Sequence, residues 1–132
     1  MNAGTAVSAQ EVCFVVPMIP DSVNTYTRHA KGRHFKSDRA RAFEHTMPLF
    51  VRGAHVVGTR FSVSLRFVLG PKQHPDIDNL AKQVLDSLAD CGVFRSAAGK
   101  FLSDNSVKRL TMEIDDEDRK NPRTEIIVRA LK

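Results

Sequence analysis

Wound at about 100° per residue, the stretch from Pro75 to Cys91 separates its apolar and polar residues almost completely. Ile77, Leu80, Ala81, Val84, Leu85, Leu88 and Cys91 fall on one side. Asp78, Asn79, Lys82, Gln83, Asp86 and Asp90 fall on the other. Such a split demands a helix with one side pressed against a core. Pro75 and Asp76 are start signals, and Gly92 after Cys91 is a stop signal.

The polar side carries a pattern of its own. Asp78, Lys82 and Asp86 are four apart and stack along one stripe. Asp76, at or just before the first turn, can turn its carboxylate towards that of Asp78. Two carboxylates that close repel unless a cation lies between them or one keeps its proton. Ligands that are all oxygen favour Mg²⁺ or Mn²⁺ over zinc. Ordinary helix chemistry accounts for the same residues: Asp76 caps, Asp78 complements the positive helix end, and Lys82 pairs with Asp78 or Asp86. Spacing alone leaves both readings open.

Ahead of this helix, residues 1–10 are small and polar and are expected to fray. Glu11 to Val16 reads as a strand, ended by Pro17 and Pro20. Asp21 to Lys36 has neither periodicity and reads as a long loop, the kind that tends to be functional. With the following helix start it carries Arg28, Lys31, Arg33, Lys36, Arg39 and Arg41 against one acid, Asp38, with Tyr26, His29, His34 and Phe35 interleaved. Basic and aromatic groups together suit phosphates and an unstacked base. They equally suit a solvated basic loop with its aromatics tucked inward.

Ser37 is an N-cap signal for a helix to about Arg52, with Ala40, Phe43, Met47 and Phe50 inward and Pro48 expected to kink or shorten it. Arg60 to Leu69 alternates as a strand, with Phe61, Val63, Leu65, Phe67 and Leu69 inward and Ser62, Ser64 and Arg66 outward. Val93 to Ser103 reads as an ordered loop. Ser106 to Ile114 and Thr124 to Leu131 read as strands, joined through a solvated acidic turn, Asp115 to Asp118. The order implies an α+β fold, a four-stranded sheet with two helices on one face.

The chain has 132 residues, 42% of them hydrophobic, which suits one domain spanning 1–132. A net charge of +5 and a pI near 9.6 favour an anionic partner, nucleic acid first. Cys13 and Cys91 lie in apolar patterns without C-x-x-C spacing and read as reduced core residues. No apolar run approaches the length of a membrane span, and no charged-then-apolar leader opens the sequence, so the expected location is the cytoplasm.

Two stretches together resemble a known family. Asp76-Ile-Asp78-Asn79-Leu80-x-Lys82-x-x-x-Asp86-x-Leu88, followed by Gly92 and Ser103-Asp104, is similar to the RusA family of Holliday-junction resolvases. Pro20-Asp-Ser-Val-Asn24-x-Tyr26-x-Arg28 with Lys31-Gly32-Arg33 is similar to that family's N-terminal stretch. The likeness runs from about Pro17 to Ile114.

The resemblance implies a mixed four-stranded sheet and a small homodimeric, Mg²⁺-dependent endodeoxyribonuclease, with Mn²⁺ as a substitute ion. Such an enzyme nicks opposed strands of a four-way DNA junction symmetrically, in recombination and repair, inside a prokaryotic or phage-infected cell. Position by position, Asp76, Asp78 and Asp104 match the family's metal-binding carboxylates, and Lys82 matches its catalytic lysine. Asn79 and Asp86 match positions that support the ligands from behind. Asn24, Tyr26, Arg28, Lys31, Arg33 and Lys36 become the expected DNA contacts. One departure stands out: the family places its third aspartate soon after the glycine, within Asp-Asp-x-Gln. Here the path from Gly92 is longer, Ser103 precedes Asp104, and Ser106 stands where Gln is usual. The alternative expectation is therefore a junction-binding protein on the same fold whose altered third carboxylate leaves cleavage weak or absent.

Overall fold

The computed structural model describes residues 10–20, 27–30, 33–36, 38–73, 75, 77, 80–117 and 119–132, with backbone pairing alone for 27–30 and 33–36. Of the stretch 1–10 expected to fray, residues 1–9 lie outside the described residues, as does the Ser37 cap, whereas Gln10 is held, its carbonyl accepting from Ala130 N–H at 3.2 Å. In chain order the elements are β1 (Glu11–Val16), β2 (Thr27–Ala30), β3 (Arg33–Lys36), α1 (Asp38–Val51), β4 (Val56–Val57) and β5 (Phe61–Val68). There follow α2 (Ala81–Asp90), β6 (Phe94–Arg95), a 3₁₀ turn (Asp104–Ser106), β7 (Val107–Asp115) and β8 (Arg123–Ala130).

Four strands form one mixed sheet in the order β1-β8-β5-β7. β8 runs antiparallel to β1 and β5, and β7 joins β5 in parallel. Alternation sets the two faces. Val12, Phe14 and Val16 of β1, Phe61, Val63, Leu65 and Phe67 of β5, and Ile126 and Val128 of β8 point into one core. Both helices pack on that side: Phe43, Met47 and Val51 of α1 join the same cluster, as do Ala81, Val84 and Leu88 of α2 with its cap residue Leu80. The mixed sheet with two helices on one face is the architecture expected from the sequence.

Several local expectations are corrected. The basic stretch after Asp21 is not wholly a loop: β2 and β3 form an antiparallel ladder, Thr27 opposite Lys36 and Ala30 opposite Arg33. Its polar, uneven sequence, without apolar alternation, hides the strands. α1 is not broken by Pro48. That ring removes one backbone donor in the last turns, and the helix runs on to Val51, where Arg52 (φ 51°) and Gly53 (φ 76°) reverse the backbone. The face consequently closes on Val51 instead of Phe50, which is exposed.

Cys13 is not a core residue. It lies between the inward Val12 and Phe14 of β1 and is exposed. Cys91 packs half-buried against the core, as expected. Leu110 is exposed because β7 is an edge strand. The acidic turn is only partly solvated, since Asp115 accepts from the Arg66 guanidinium. Glu113 and Glu125 flank the same arginine, at 3.9 and 3.1 Å. Arg123 adds a 2.8 Å bond to Glu125. Those two arginines, Arg123 first, hold the Glu125 carboxyl below its ordinary pKa.

α2 is shorter than its amphipathic pattern. The regular helix begins at Ala81 with Leu80 as its cap, and Leu80 N–H donates to Ile77 O at 3.3 Å. Asp and Asn side chains compete with the backbone for hydrogen bonds, which favours a delayed start in an Asp-x-Asp-Asn sequence. Gln83, expected on the polar side, is buried and donates Nε2 to Ala40 O of α1 at 2.6 Å. That bond fixes the rotation of α2 against α1.

This geometry sets the cost of two kinds of substitution. A Cβ on Gly92, where φ is 72°, would land in the Phe101 ring, whereas one on Gly99, where φ is 85°, meets nothing within 4 Å. Gly99→Ala should therefore cost about 1–2 kcal/mol, the left-handed penalty alone, and Gly92→Ala clearly more, measured by urea unfolding. Glu125→Gln should cost about 1 kcal/mol at pH 7. A carboxyl whose pKa is depressed by folding stabilises above its unfolded pKa and loses that contribution as pH falls through the folded value. The stability curves of the wild type and of the Glu125→Gln variant should accordingly converge in acid, below the ordinary glutamate value of about 4.3.

Candidate active site

The candidate site forms where α2 meets the turn that follows the long loop. α2 turns its polar side outward because Leu80, Val84 and Leu88 are buried beneath it and Gln83 ties it to α1. Lys82 therefore faces solvent, 56% exposed, with Nζ 3.3 Å from Asp86 Oδ2 one turn on. An exposed i,i+4 pair of this kind contributes only about 0.3–0.5 kcal/mol. Its value lies in holding an ammonium group in place at low energetic cost to release.

The helix cap falls on Leu80, in helical conformation and without a side-chain cap bond. Asp76, Asp78 and Asn79 precede that cap and lie outside the described residues. Lys82 pairs with Asp86, one of the two partners that the helix-chemistry reading allowed it.

The long path from Gly92 to Asp104 is built, residue by residue, to return to α2. Val93 N–H donates to Leu88 O at 3.1 Å, which turns the chain back under the helix. β6 pairs in parallel with β4, and the Phe94 ring meets Phe61 at 5.1 Å between centroids. The added residues are taken up in a tight turn: Ser96 N–H donates to Lys100 O and Gly99 N–H to Ser96 O, each at 2.9 Å. Leu102 N–H then rejoins Phe94 O at 2.8 Å. Arg95 clamps this excursion, donating Nε to Gly92 O at 2.7 Å and lying 4.7 Å over the exposed Phe101 ring.

Asp104 opens the 3₁₀ turn, half-buried, and the turn packs against α2. Ser103 and Ser106, the two residues that depart from the family pattern, make that turn. Ser103 Oγ accepts from Asn105 N–H at 3.3 Å, and Ser106 Oγ donates to Ser103 O at 2.6 Å. Their hydroxyls fix Asp104 at the mouth of β7 and bring it to the helix of Lys82 despite the longer loop. Sequence reasoning gave these serines no role. The visible signal was an ST turn, Ser-Asp-Asn-Ser, ahead of a strand.

Among the described residues no three His, Cys, Asp or Glu side chains cluster as a metal site. Asn24, Tyr26 and Lys31 also lie outside the described residues. Arg28, Arg33 and Lys36 are on the β2–β3 hairpin, with Arg28 opposite Phe35 in register. Among the described residues no helix is long and apolar enough to cross a membrane.

No curated protein matched the chain. The family model described as endodeoxyribonuclease RusA matches residues 17–129. That span takes in the basic hairpin, α2, the Ser103–Ser106 turn and all of the core strands but the end of β8 and β1. A nuclease family's match over this length, on a sheet and helix pair of the expected order, assigns the chain: it belongs to the RusA endodeoxyribonuclease family.

Proposed function

We propose that this protein is a Mg²⁺-dependent resolvase of four-way DNA junctions that acts as a homodimer and nicks two opposed strands symmetrically. The observation that carries the reading is the packing of the Asp104 turn against the helix of Lys82 within a chain of the RusA family. In this reading Asp76, Asp78 and Asp104 hold the ion. Donors that are all carboxylate oxygens suit Mg²⁺, with Mn²⁺ able to replace it. When bound, the ion supplies an activated water and charge stabilisation for the leaving 3′-oxygen.

The chain's own residues do the rest. Lys82 leaves Asp86 to meet a non-bridging oxygen of the scissile phosphate, where its charge offsets the negative charge that builds in the transition state. Asp86 keeps that ammonium in place between turnovers, and Asn79 supports the carboxylates from behind. Asn24, Tyr26, Arg28, Lys31, Arg33 and Lys36 hold the backbone of the junction arms, with Tyr26 available to stack on an unpaired base. A junction has approximate two-fold symmetry, and a two-fold dimer presents one such site to each of two opposed strands. The work belongs to recombination and repair in the cytoplasm of a prokaryotic or phage-infected cell.

A labelled four-way junction, incubated with and without Mg²⁺ and mapped on each strand, tests this directly. Paired nicks at symmetric positions are expected; tight binding with no nick would leave a junction-binding protein instead. Asp104→Asn should cut at least about 100-fold more slowly with junction affinity kept. Normal cutting by that variant would move the third ligand elsewhere. Lys82→Ala should lower the single-turnover rate by a similar factor of about 100 while changing affinity much less. Arg28→Ala and Arg33→Ala should each reduce the slope of log affinity against log salt by about one. An unchanged slope would take the hairpin out of the interface.

A further inference from the structure

Gln83 meets Ala40 near the start of both helices, and Val51 and Cys91 line one cavity near their ends. α1 and α2 therefore run side by side in the same direction, and their dipoles add instead of cancelling. The cavity between their C-terminal halves measures about 390 Å³, within the range of about 300–1,000 Å³ that takes a small ligand. α1 supplies Glu44, His45, Pro48 and Val51 to its lining, and α2 supplies Ser87 and Asp90.

The charges around this cavity suit a cation. Half-buried Glu44 and exposed Asp90 each bring a carboxylate. Neither helix carries a basic residue in its last turn, and Asp90 stands at the negative end of α2, where an acid is unfavourable. Burial first, and then the Asp90 charge, holds the Cys91 thiol above its ordinary pKa. Among the described residues no lysine or arginine lines the cavity. Arg52, just past α1, donates Nε to Leu49 O at 3.1 Å and covers one carbonyl. On a chain of net charge +5, this end of the helix pair is negative.

Acids on a helix surface are ordinary; Ser87 beside them is not. It lines the cavity, is 3% exposed, and its Oγ has no hydrogen-bond partner among the described residues. A hydroxyl inside a helix ordinarily donates to the carbonyl one turn back, as Thr46 does to Ala42 O at 2.8 Å. A buried hydroxyl left without a partner destabilises the fold. Pro48 and Val51 give the cavity an apolar wall. Leu49, one turn on from His45 and on the same side of α1, is 66% exposed beside it. Such a wall suits the methylene stem of a long cationic side chain, and the acceptors suit its head. Arginine fits better than lysine, because a guanidinium is more weakly hydrated and meets a carboxylate through two parallel bonds.

We propose that the cavity between the C-terminal halves of α1 and α2 binds an arginine side chain of a protein partner, with Leu49 meeting an apolar residue next to that arginine. Glu44 and Asp90 hold the guanidinium, and Ser87 Oγ accepts one of its N–H bonds. Lys82 lies about 12 Å back along α2, so a partner seated here leaves the candidate active site open. The inference stands apart from the resolvase reading and holds equally for a protein that binds junctions without cutting them.

The test is an NMR titration of the full chain, followed on its backbone amides, with acetyl-arginine amide, acetyl-citrulline amide, acetyl-arginyl-leucine amide and spermidine as probes. The arginine probe should shift the Glu44, Ser87 and Asp90 signals saturably. Citrulline, neutral but of the same shape, should leave them in place. Asp90→Asn and Glu44→Gln should each weaken arginine binding at least about threefold. Ser87→Ala should weaken it too, while melting no lower than the wild type, because its hydroxyl had no partner to lose. The arginyl-leucine probe should bind at least about threefold tighter than arginine alone, an advantage that Leu49→Ser removes. Citrulline binding as well as arginine, or arginine binding untouched by Asp90→Asn and Glu44→Gln, would overturn the cation site. Spermidine binding more tightly than both arginine probes would give the cavity to free polyamines and overturn the protein partner. Equal affinity for the two arginine probes would overturn it as well.

Discussion

The seating of α2 against α1 and the sheet is the contact on which the candidate site depends. Burying Leu80, Val84 and Leu88 is worth about 1.5–3 kcal/mol for each side chain, before the entropy of ordering them. That apolar contact fixes the helix's position but tolerates a small rotation. The Gln83–Ala40 bond removes the tolerance, because rotating α2 would strand a buried amide at a cost of about 1–3 kcal/mol. The buried, hydrogen-bonded Gln83 therefore sets the direction in which Lys82 points.

The second half of the site is held differently. Asp104 sits on a short turn at the surface, where little apolar area is available, and hydrogen bonds hold it. Ser103 and Ser106 close the turn, and Leu102 and Phe94 anchor the loop that leads to it. The lengthened loop thus changes the route to Asp104 without detaching it from α2. Arg95 and Phe101, stacked at the surface, stiffen that route. An exposed, rigid aromatic here is a consequence of Gly92, whose positive φ and missing Cβ leave room for the ring.

Long periodic segments were legible in the sequence, and so were the sheet, both helices and the family. β5 alternates because one face is buried, and α2 splits because one side is. What escaped was decided by tertiary context. Gln83 is polar by type but buried because α1 offers it a carbonyl. Cys13 is apolar by type but exposed because β1 alternates and its outer face is bare. β2 and β3 carry no apolar alternation, so only their register reveals them. Lys82 stood out from spacing and family likeness, Asp104 from family likeness alone. What spacing could not give was the turn chemistry that brings Asp104 to the helix of Lys82.

The central claim is that Asp104 joins the carboxylates ahead of α2 around one divalent ion. Manganese binding followed by electron paramagnetic resonance, with Mg²⁺ as competitor and no DNA present, tests it without reference to cleavage. The account predicts a saturable Mn²⁺ site that Mg²⁺ displaces, weakened about tenfold or more by Asp104→Asn. Equal binding by wild type and that variant, or no saturable site in either, would contradict it.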